Sequence, residues 1–395
     1  MDTWTWTFNV QADIECPLLG NISINTSMWK KLTQNNRAFV VAEVGKGFIQ
    51  TEKDQPVDVY LKNAKELARL AKEAGADAVK FQTHFIGDEQ ANINVVAPHF
   101  KGADRYSWVK RNTEATPIRF WRELKKYCDQ IGILFFSTPM SRGAARILNK
   151  VGVDIWKVGS GDILDFVMLD YLASTKKPII ISGGMSTLAE VDQAVDFLNR
   201  RRAKFILMHC VSKYPCPPQE LNLKTINFFK KRYNAPVGFS DHSIGIDSAI
   251  AAVALGATVI EKHFSLNRNL WGSDHKVAMT PSELADLVKG IRQLESDPKK
   301  KKEYLNKEIV KAGLGRSGKT LQDGEAQFRS FFRKTLVAIK NIPQGSKIKP
   351  EMIGAMRPQA YLAGLPSEKY ESIIGRAAKT KIKKGEPIQE ESVMI

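Results

Sequence analysis

Eight short apolar runs recur between residues 39 and 263, and a segment with helical periodicity separates each run from the next. The runs are rich in Val, Ile and Phe, which predicts buried β-strands. They read FVVAE, AVKFQ, LFFST, IWKVGS, IIIS, ILMHC, VGFSDH and VIEKH. Eight strands that alternate with helices predict an α/β fold, the (β/α)₈ or TIM barrel.

Each apolar run closes on residues that are suited to chemistry. The carboxyl ends of parallel strands meet at one mouth of such a barrel, and active sites are built there. The residues at or just beyond these ends are Glu43, Lys80, Gln82, Thr138, Lys157, Ser160, Ser182, Ser212, Ser240, His242 and His263. The strand pattern therefore predicts the location of a functional site together with the fold.

Composition shifts divide the chain into four parts. The barrel is predicted over residues 37–294, after a polar extension, 1–36, for which a hairpin that closes the bottom of the barrel is one hypothesis. Charged residues, Gly and Pro mark residues 295–331 as a linker. Residues 332–395 are predicted to form a small, β-rich C-terminal domain.

This C-terminal domain contains an internal repeat. LVAIKNIPQGSKIKPEMI at 336–353 aligns with AAKTKIKKGEPIQEESV at 377–393 at a constant offset of 40 residues. Each copy has the pattern of a strand, a Gly turn and a strand. Two copies predict a pseudo-twofold unit, which is small for independent chemistry and better suited to covering a site or mediating assembly.

The bulk composition narrows the class of protein. The chain has 395 residues, of which 43% are hydrophobic and 26% charged, as in ordinary globular proteins. No apolar run approaches the roughly 20 residues of a membrane span, and the N-terminus lacks the pattern of a signal peptide. Cys16, Cys128, Cys210 and Cys216 form neither a C-x-x-C pair nor a disulfide scaffold. We expect a reduced, cytoplasmic protein with no membrane partner.

The net charge of +17 raises the question of an anionic partner. The basic runs lack interleaved aromatic residues and any nucleic-acid-binding signature, so we expect solvated surface and no nucleic acid partner. An anion site must instead come from lysines at the strand ends.

Two of the strand-end residues suggest a metal. His242 and His263 close neighbouring strands, and two imidazoles at a barrel mouth can hold a divalent ion with positions left for substrate and water. Two nitrogens without a thiolate fit Mn²⁺, Mg²⁺ or Zn²⁺. The alternative is one packed histidine and one general base.

Two lysines at the strand ends suggest an anion site. Lys80 and Lys157 are costly to bury unless they meet an anion, and the hydroxyls on the same rim can donate hydrogen bonds to phosphate and carboxylate oxygens. The alternative is a single Schiff-base lysine in an apolar setting, as in an aldolase. The hydroxyl-rich surroundings favour oxyanion binding.

Carboxylates complete the set. Glu43 is a candidate general acid and base, with a structural salt bridge to one of the lysines as the alternative. Asp274, in WGSDH after the eighth strand, is a candidate for binding substrate hydroxyls.

Taken together, these residues resemble the sialic acid synthase family, which comprises N-acetylneuraminate synthase and its legionaminic and pseudaminic acid relatives. The matching strings, in family order over 42–275, are AEVG, VKFQTH, FFSTPMS, WKVGSGD, SGGMS, HCVSKYP, GFSDHSIG, EKHFS and GSDH. FRKTLVAIKNIPQG and the MRP at 356–358 are similar to the family's C-terminal antifreeze-like (SAF, β-clip) domain.

The resemblance implies a reaction. Phosphoenolpyruvate would condense with an open-chain N-acetylated hexosamine, N-acetylmannosamine or a 2,4-diacetamido-6-deoxy hexose. The products would be a nine-carbon 2-keto-3-deoxy acid and phosphate, released by C–O cleavage with the help of Mn²⁺ or Mg²⁺.

The resemblance also implies roles by matching position. Glu43, His242 and His263 would be catalytic, and the two histidines would bind the metal. Phosphoenolpyruvate would be held by Lys80, Thr138, Lys157, Ser160, Ser182 and Ser212. The sugar and the shape of the site would depend on Gln82, Tyr214, Ser240 and Asp274. Arg357 would reach from the antifreeze-like domain of one subunit into the other subunit's barrel, which implies a domain-swapped homodimer.

Two segments depart from the family pattern. Family members commonly have Asn-His-Asn-Gly shortly after the first-strand glutamate, whereas this chain continues EVGKGFIQ with Lys46. The fifth strand ends Ser182-Gly183-Gly184-Met185, with one hydroxyl fewer than usual, and Ser212 stands where some members carry Asn. These departures bear on the identity of the sugar.

Two other functions stay open at this point. One is a related phosphoenolpyruvate-dependent 3-deoxy-ulosonate synthase that acts on another aldose, although such barrels usually lack the C-terminal domain. The other is a non-catalytic barrel scaffold that carries a binding module, which the complete set of strand-end residues disfavours.

Overall fold

The computed structural model describes residues 21–34, 36–96, 104–297 and 299–394, with side chains from residue 26 onward. Its helices are α1 Asn21–Leu32, α2 Val57–Glu73, α3 Ile86–Glu89, α4 Arg105–Ala115, α5 Ile118–Ile131, α6 Arg142–Val151, α7 Phe166–Ser174, α8 Leu188–Arg200, α9 Thr225–Tyr233, α10 Asp247–Ala254, α11 Pro281–Ser296, α12 Lys300–Asn306, α13 Glu308–Leu314, α14 Asp323–Phe332 and α15 Tyr370–Ile373.

The strands confirm the predicted barrel. They are β1 Phe39–Gly45, β2 Ala78–Thr83, β3 Leu134–Pro139, β4 Trp156–Val158, β5 Ile179–Ser182, β6 Phe205–Cys210, β7 Val237–Asp241, β8 Val259–His263, β9 Thr335–Ala338 and β10 Ile353–Met356. The first eight form one parallel sheet in the order β3-β2-β1-β8-β7-β6-β5-β4, and β3 also contacts β4. The sheet therefore closes on itself, with all eight carboxyl ends at one mouth.

Helix α2 shows why the outer layer forms. Its buried residues recur every three or four positions and face the sheet: Tyr60, Leu61, Ala64, Leu67, Ala68 and Ala71. The helix ends just before Gly75, which has a φ of +87° that a residue with a side chain adopts only with strain.

The described part of the N-terminal extension is a helix rather than a hairpin. Met28 and Leu32 of α1 are buried in a cluster with residues from the amino-terminal halves of the strands, among them Phe39, Ala78 and Val259. This helix closes the bottom of the barrel, opposite the mouth. Residues 1–20 of the extension lie outside the described residues.

Three helices occupy the stretch that the sequence marked as a linker. Helices α12 and α13 contact α10, on the outer face of the barrel. Helix α14 contacts the turn Ser160–Asp162 beyond β4. The segment 295–331 is thus packed against the barrel, and its last helix begins near the mouth.

The repeat in the C-terminal domain folds as a pseudo-twofold unit. Ile342 and Ile382, which are equivalent positions, exchange backbone hydrogen bonds of 2.8 and 3.0 Å. Gly345 donates to the carbonyl of Ala378, and its copy Gly385 donates to the carbonyl of Ala338. Strands β9 and β10 add an antiparallel pair.

The C-terminal domain sits on the loops after β3 and β4. Nζ of Lys334 lies 2.7 Å from Asp165 and 3.0 Å from Asp162, and all three side chains are buried. Arg142 donates to the carbonyls of Pro350 and Ile353. Among the described residues, no helix combines the length and apolar character needed to cross a membrane.

Candidate active site

Glu43 lies in the mouth between β2 and β8. Its Oε2 is 2.7 Å from Nζ of Lys80, and its Oε1 accepts a hydrogen bond of 2.9 Å from Nε2 of Gln82. The strand register sets Glu43 beside Lys80 on β2 and beside His263 on β8. The salt bridge that the sequence left as an alternative is therefore present, and it lies inside the site.

A second carboxylate, Glu261, joins the two lysines. Its oxygens lie 3.6 Å from Nζ of Lys80 and 3.4 Å from Nζ of Lys157. Ser240 on the neighbouring strand donates to the same carboxylate at 3.3 Å. Glu261 precedes His263 by two positions on β8, so both side chains face the barrel interior.

The two carboxylates differ in their affinity for protons. Burial raises the pKa of Glu43, and Lys80 only partly opposes this rise. Burial acts in the same direction on Glu261, but Lys157 and Lys80 outweigh it and lower the pKa of Glu261 to about 2. Two lysines thus surround one firmly ionised carboxylate and one that takes up a proton more readily, which leaves cationic character for an incoming anion.

Beside the lysines, three side chains from the ends of β4 and β6 surround Gly184. A Cβ at this position would lie 2.3 Å from Oγ of Ser212, 2.6 Å from Oγ of Ser160 and 3.0 Å from Sγ of Cys210. The Cys210 sulfur is 3.5 Å from Ser160 and 3.7 Å from Ser212. The absence of a side chain at Gly184 therefore leaves space into which the hydroxyls of Ser160 and Ser212 point. Each of these hydroxyls also makes a weak contact with the Cys210 sulfur.

Two further hydroxyls complete this wall. Oγ of Ser182 is buried and has no hydrogen-bond partner among the described residues. Thr138 accepts a hydrogen bond of 3.0 Å from Lys80, so its own hydroxyl hydrogen remains available to donate. We call Thr138, Ser160, Ser182 and Ser212, together with Gly184, the hydroxyl side of the mouth.

The opposite wall is built around Gly45, which has a φ of +57°. A Cβ there would lie 3.2 Å from Nε2 of Gln82, 3.4 Å from Oδ2 of Asp274 and 3.4 Å from Oε1 of Glu43. We call Glu43, Gln82 and Asp274, together with Lys46, the carboxylate side.

Lys46 fills the segment where the sequence departs from the family pattern. Its Nζ lies 3.4 Å from Nε2 of His84 and 3.5 Å above the ring centroid of Trp108. His84 is in turn held by Glu89 at 2.8 Å. Burial lowers the pKa of Lys46 to about 7, with Asp274 opposing the shift.

The two histidines lie side by side at the mouth, with ring centroids 5.6 Å apart. Nδ1 of His242 is 2.8 Å from the carbonyl oxygen of Val211, so it donates and leaves Nε2 with a free lone pair. Burial lowers the pKa of His263 to about 4, whereas the sulfur of Cys210 raises that of His242 against the effect of burial. The ring of Tyr214 lies against His242, with ring centroids 4.0 Å apart and planes tilted by 33°, and Tyr214 is half exposed.

This pair fits a divalent metal. Within the part of the chain that the structure describes, no cluster of three or more His, Cys, Asp or Glu side chains is arranged to hold an ion. A metal on His242 and His263 would therefore take its remaining ligands from substrate and water, as in catalytic rather than structural sites.

Arg357 lies where the C-terminal domain meets the barrel. The family resemblance implies that it reaches into a partner's barrel, and within the single chain its guanidinium lies 2.5 Å from Asp162. Its backbone also bonds to Glu89 and Ala91 after β2. The side chain is 1% exposed and already paired within one chain, and the contact with a partner subunit stays a prediction.

The structure brings every other predicted site residue to the mouth of the barrel. The sequence analysis gave Glu261 no role, although its alternation with His263 predicts that it faces inward. It also missed Cys210 and the role of Lys46, since neither the packing around Gly184 nor the Trp108 contact has a signal in the pattern.

Comparisons with known proteins agree with this site. A model of the NeuB family matches residues 67–303, and a SAF domain model matches residues 333–394. The chain belongs to the NeuB family. Human N-acetylneuraminate-9-phosphate synthase is 30% identical over 364 residues, 90% of this chain and 92% of that protein.

Two further comparisons also cover most of the chain. The N,N'-diacetyllegionaminic acid synthase of Campylobacter jejuni is 33% identical over 339 residues, 83% of this chain and 94% of that protein. The crystal structure of a spore coat polysaccharide biosynthesis protein from Bacillus subtilis superposes with a TM-score of 0.72 at 30% identity, over 91% of this chain and 96% of that one. The chain is thus an enzyme, a transferase of the sialic acid synthase type.

Proposed function

We propose that this enzyme condenses phosphoenolpyruvate with an open-chain N-acetylated hexosamine, N-acetylmannosamine or a 2,4-diacetamido-6-deoxy hexose. The products are a nine-carbon 2-keto-3-deoxy acid and phosphate. The observation that carries the proposal is the division of the mouth into a hydroxyl side and a carboxylate side, with Lys80, Lys157 and Glu261 between them. A substrate with two anionic groups suits the first side, and a polyhydroxy aldehyde suits the second.

In this proposal the hydroxyl side and the lysines bind phosphoenolpyruvate. The hydroxyl of Ser182 has no partner among the described residues, and those of Ser160 and Ser212 have only a thiol contact. Donation to phosphate oxygens would give all three the bonds they otherwise lack. Lys157 and Lys80 would balance the charge of the phosphate and the carboxylate.

The carboxylate side orients the sugar and moves protons. C3 of phosphoenolpyruvate forms a bond to the aldehyde carbon, and the aldehyde oxygen takes up a proton to become a hydroxyl. Water then adds at C2, and the C–O bond to phosphate breaks. Glu43 is the proposed proton donor and acceptor because burial raises its pKa while Gln82 and Lys80 hold its position.

A divalent ion, Mn²⁺ or Mg²⁺, is the proposed cofactor, and it would polarise the aldehyde oxygen. His242 and His263 would hold it. His242 presents Nε2 because Val211 accepts from Nδ1. Tyr214 lies against His242 and would contact the sugar beside the ion.

The test is phosphate release from a panel of 2-acetamido and 2,4-diacetamido sugars, with mass analysis of the products. Release should require phosphoenolpyruvate, one of the sugars and Mn²⁺ or Mg²⁺ together. A chelator should abolish it, and re-addition of the ion should restore it. Absence of phosphate release across the whole panel, with the metal present, would refute the proposal.

Two further parts of the proposal concern setting and assembly. We place the enzyme in the cytoplasm, where phosphoenolpyruvate is made, and the thiols of Cys128, Cys210 and Cys216 are buried and unpaired. We also propose that the enzyme is a homodimer whose subunits exchange their C-terminal domains.

A further inference from the structure

A buried carboxylate from outside the barrel reaches the hydroxyl side. Glu325 is in the first turn of α14, in the stretch predicted as a linker, and it is fully buried. Its Oε1 accepts hydrogen bonds from the backbone N–H of Met185 at 2.9 Å and from that of Ser212 at 2.8 Å. One oxygen atom thus joins the segment after β5 to the segment after β6.

These two N–H groups belong to the wall that surrounds Gly184. Met185 follows Gly184 directly and has a φ of +51°, an uncommon conformation for a residue with a side chain. Ser212 carries a hydroxyl that points at Gly184. The bonds to Glu325 therefore restrain both the backbone at Gly184 and the residue that supplies the hydroxyl.

Other contacts hold Glu325 in place. Its Oε2 lies 3.5 Å from Nζ of Lys319, which is also buried and reduces the repulsion between this carboxylate and a nearby anion. Arg329, one turn further along α14, binds Glu190 through two contacts of 2.6 Å. Arg333 donates to the carbonyl of Met185 at 2.7 Å. The helix is therefore fastened over the end of β5.

We propose that Glu325 is a positioning residue for the phosphate of phosphoenolpyruvate. It fixes the Gly184 backbone and the Ser212 hydroxyl before the substrate arrives. The entropy loss of ordering these groups therefore does not weaken the binding of phosphoenolpyruvate. The inference rests on the proposed function, since it assigns phosphoenolpyruvate to the hydroxyl side. It makes α14 part of the binding machinery rather than a connection between domains.

The test compares Glu325→Ala, Glu325→Asp and Glu325→Gln with the wild-type enzyme. Glu325→Ala should raise the KM for phosphoenolpyruvate about 10- to 100-fold, with little change in kcat or in the KM for the hexosamine. Glu325→Asp keeps the charge but withdraws it by one methylene, and it should raise the same KM by a smaller factor. Glu325→Gln keeps an oxygen acceptor and should stay within about threefold of the wild type.

Glu295→Ala is the matched control. The Glu295 carboxylate accepts from the backbone N–H of Ala38 at 2.5 Å, at the other end of the barrel. This variant should lose stability and keep its KM for phosphoenolpyruvate. Calorimetric titration with phosphoenolpyruvate alone gives an affinity that does not depend on turnover, so this inference can fail while the proposed function holds, and the reverse.

Three outcomes would overturn the inference. A lower KM in Glu325→Ala would mean that Glu325 competes with phosphate for the two N–H groups. A loss of active enzyme with unchanged KM and unchanged affinity would mean a purely structural role. A Glu325→Gln enzyme as impaired as Glu325→Ala would mean that acceptance of the two bonds is not what matters. If Glu325→Ala does not fold, the Asp and Gln variants decide between these outcomes.

Discussion

The hydroxyl side and the carboxylate side of the mouth differ in how far their polar groups are already paired. On the hydroxyl side, Ser182 has no partner among the described residues, and Ser160 contacts a thiol. On the carboxylate side, Glu43 is bound by Lys80 and Gln82. An anion can enter the first side without breaking strong contacts, whereas a sugar must exchange existing hydrogen bonds for new ones. Anion binding on the hydroxyl side should therefore depend on the fixed positions of the hydroxyl groups. Sugar binding on the carboxylate side should depend on the exchange of existing hydrogen bonds for new ones.

The largest effect is expected at the histidines beside the carboxylate side. His242→Ala should remove the bound ion and lower kcat by about three orders of magnitude or more, because the sugar aldehyde loses its electrophilic assistance. Metal analysis of the purified protein and phosphate release measure the two effects. His209→Gln is the control, since that buried histidine contacts the Leu221 carbonyl and should leave the metal content unchanged. Near-normal activity of His242→Ala would make His242 a packed core histidine.

A smaller effect is expected at the Ser182 hydroxyl. Ser182→Ala should raise the KM for phosphoenolpyruvate about tenfold and leave the free energy of unfolding within about 0.5 kcal/mol, because this hydroxyl has no hydrogen-bond partner among the described residues. Gln82→Ala should behave differently, with losses in both sugar binding and stability, since Glu43 loses a donor. Steady-state kinetics and urea denaturation test the contrast. Equal losses of stability in the two variants would remove the distinction between the sides.

The third effect is a pH dependence of stability at Lys46. Burial lowers its pKa to about 7 in the folded protein, against an ordinary value of 10.5. Between these values the unfolded chain binds the extra proton, so the contribution of Lys46 to stability rises with pH. From pH 7 to pH 9, the wild type should gain about 1 to 2 kcal/mol relative to Lys46→Asn. Urea denaturation at both pH values measures this, and parallel curves for the two proteins would contradict the shift.

The smallest effect is expected from mixing subunits. If the proposed exchange of C-terminal domains brings Arg357 into the partner's barrel, mixing Arg357→Ala chains with Glu43→Ala chains should restore part of the activity. Heterodimer formation must be shown in the same samples, for example with two affinity tags. Absence of phosphate release, with heterodimers present, would mean that Arg357 acts in its own barrel, where it pairs with Asp162 within one chain.

Most residues of the mouth could be predicted from the sequence because each barrel strand is an apolar run that ends in, or is closely followed by, a polar residue. Glu43, Lys157 and His263 follow directly from that rule. The same rule applied at alternate positions also finds Glu261, two residues before His263. The alternation of residues along each strand therefore predicts which side chains face the barrel interior.

Sequence periodicity does not predict contacts between segments that are distant in the sequence. Glu325 stands in a charged, Gly-containing stretch that looks solvated, yet it is buried against β5 and β6. Arg357 finds Asp162 through the packing of the C-terminal domain on the loops after β3 and β4. These contacts form only once segments far apart in the sequence pack together in the fold. The pattern of hydrophobic residues does not indicate which distant segments will meet.

Helix α1 and strand β1 have a consequence for anyone who shortens this chain. The NeuB family match begins at residue 67, after both elements. A fragment cut there would lose Glu43, expose the facing edges of β2 and β8, and uncover the apolar floor that Met28 and Leu32 seal. Open sheet edges of this kind recruit other chains, so such a fragment should aggregate. The smallest unit with a complete barrel and a covered floor therefore starts ahead of the family match, at α1.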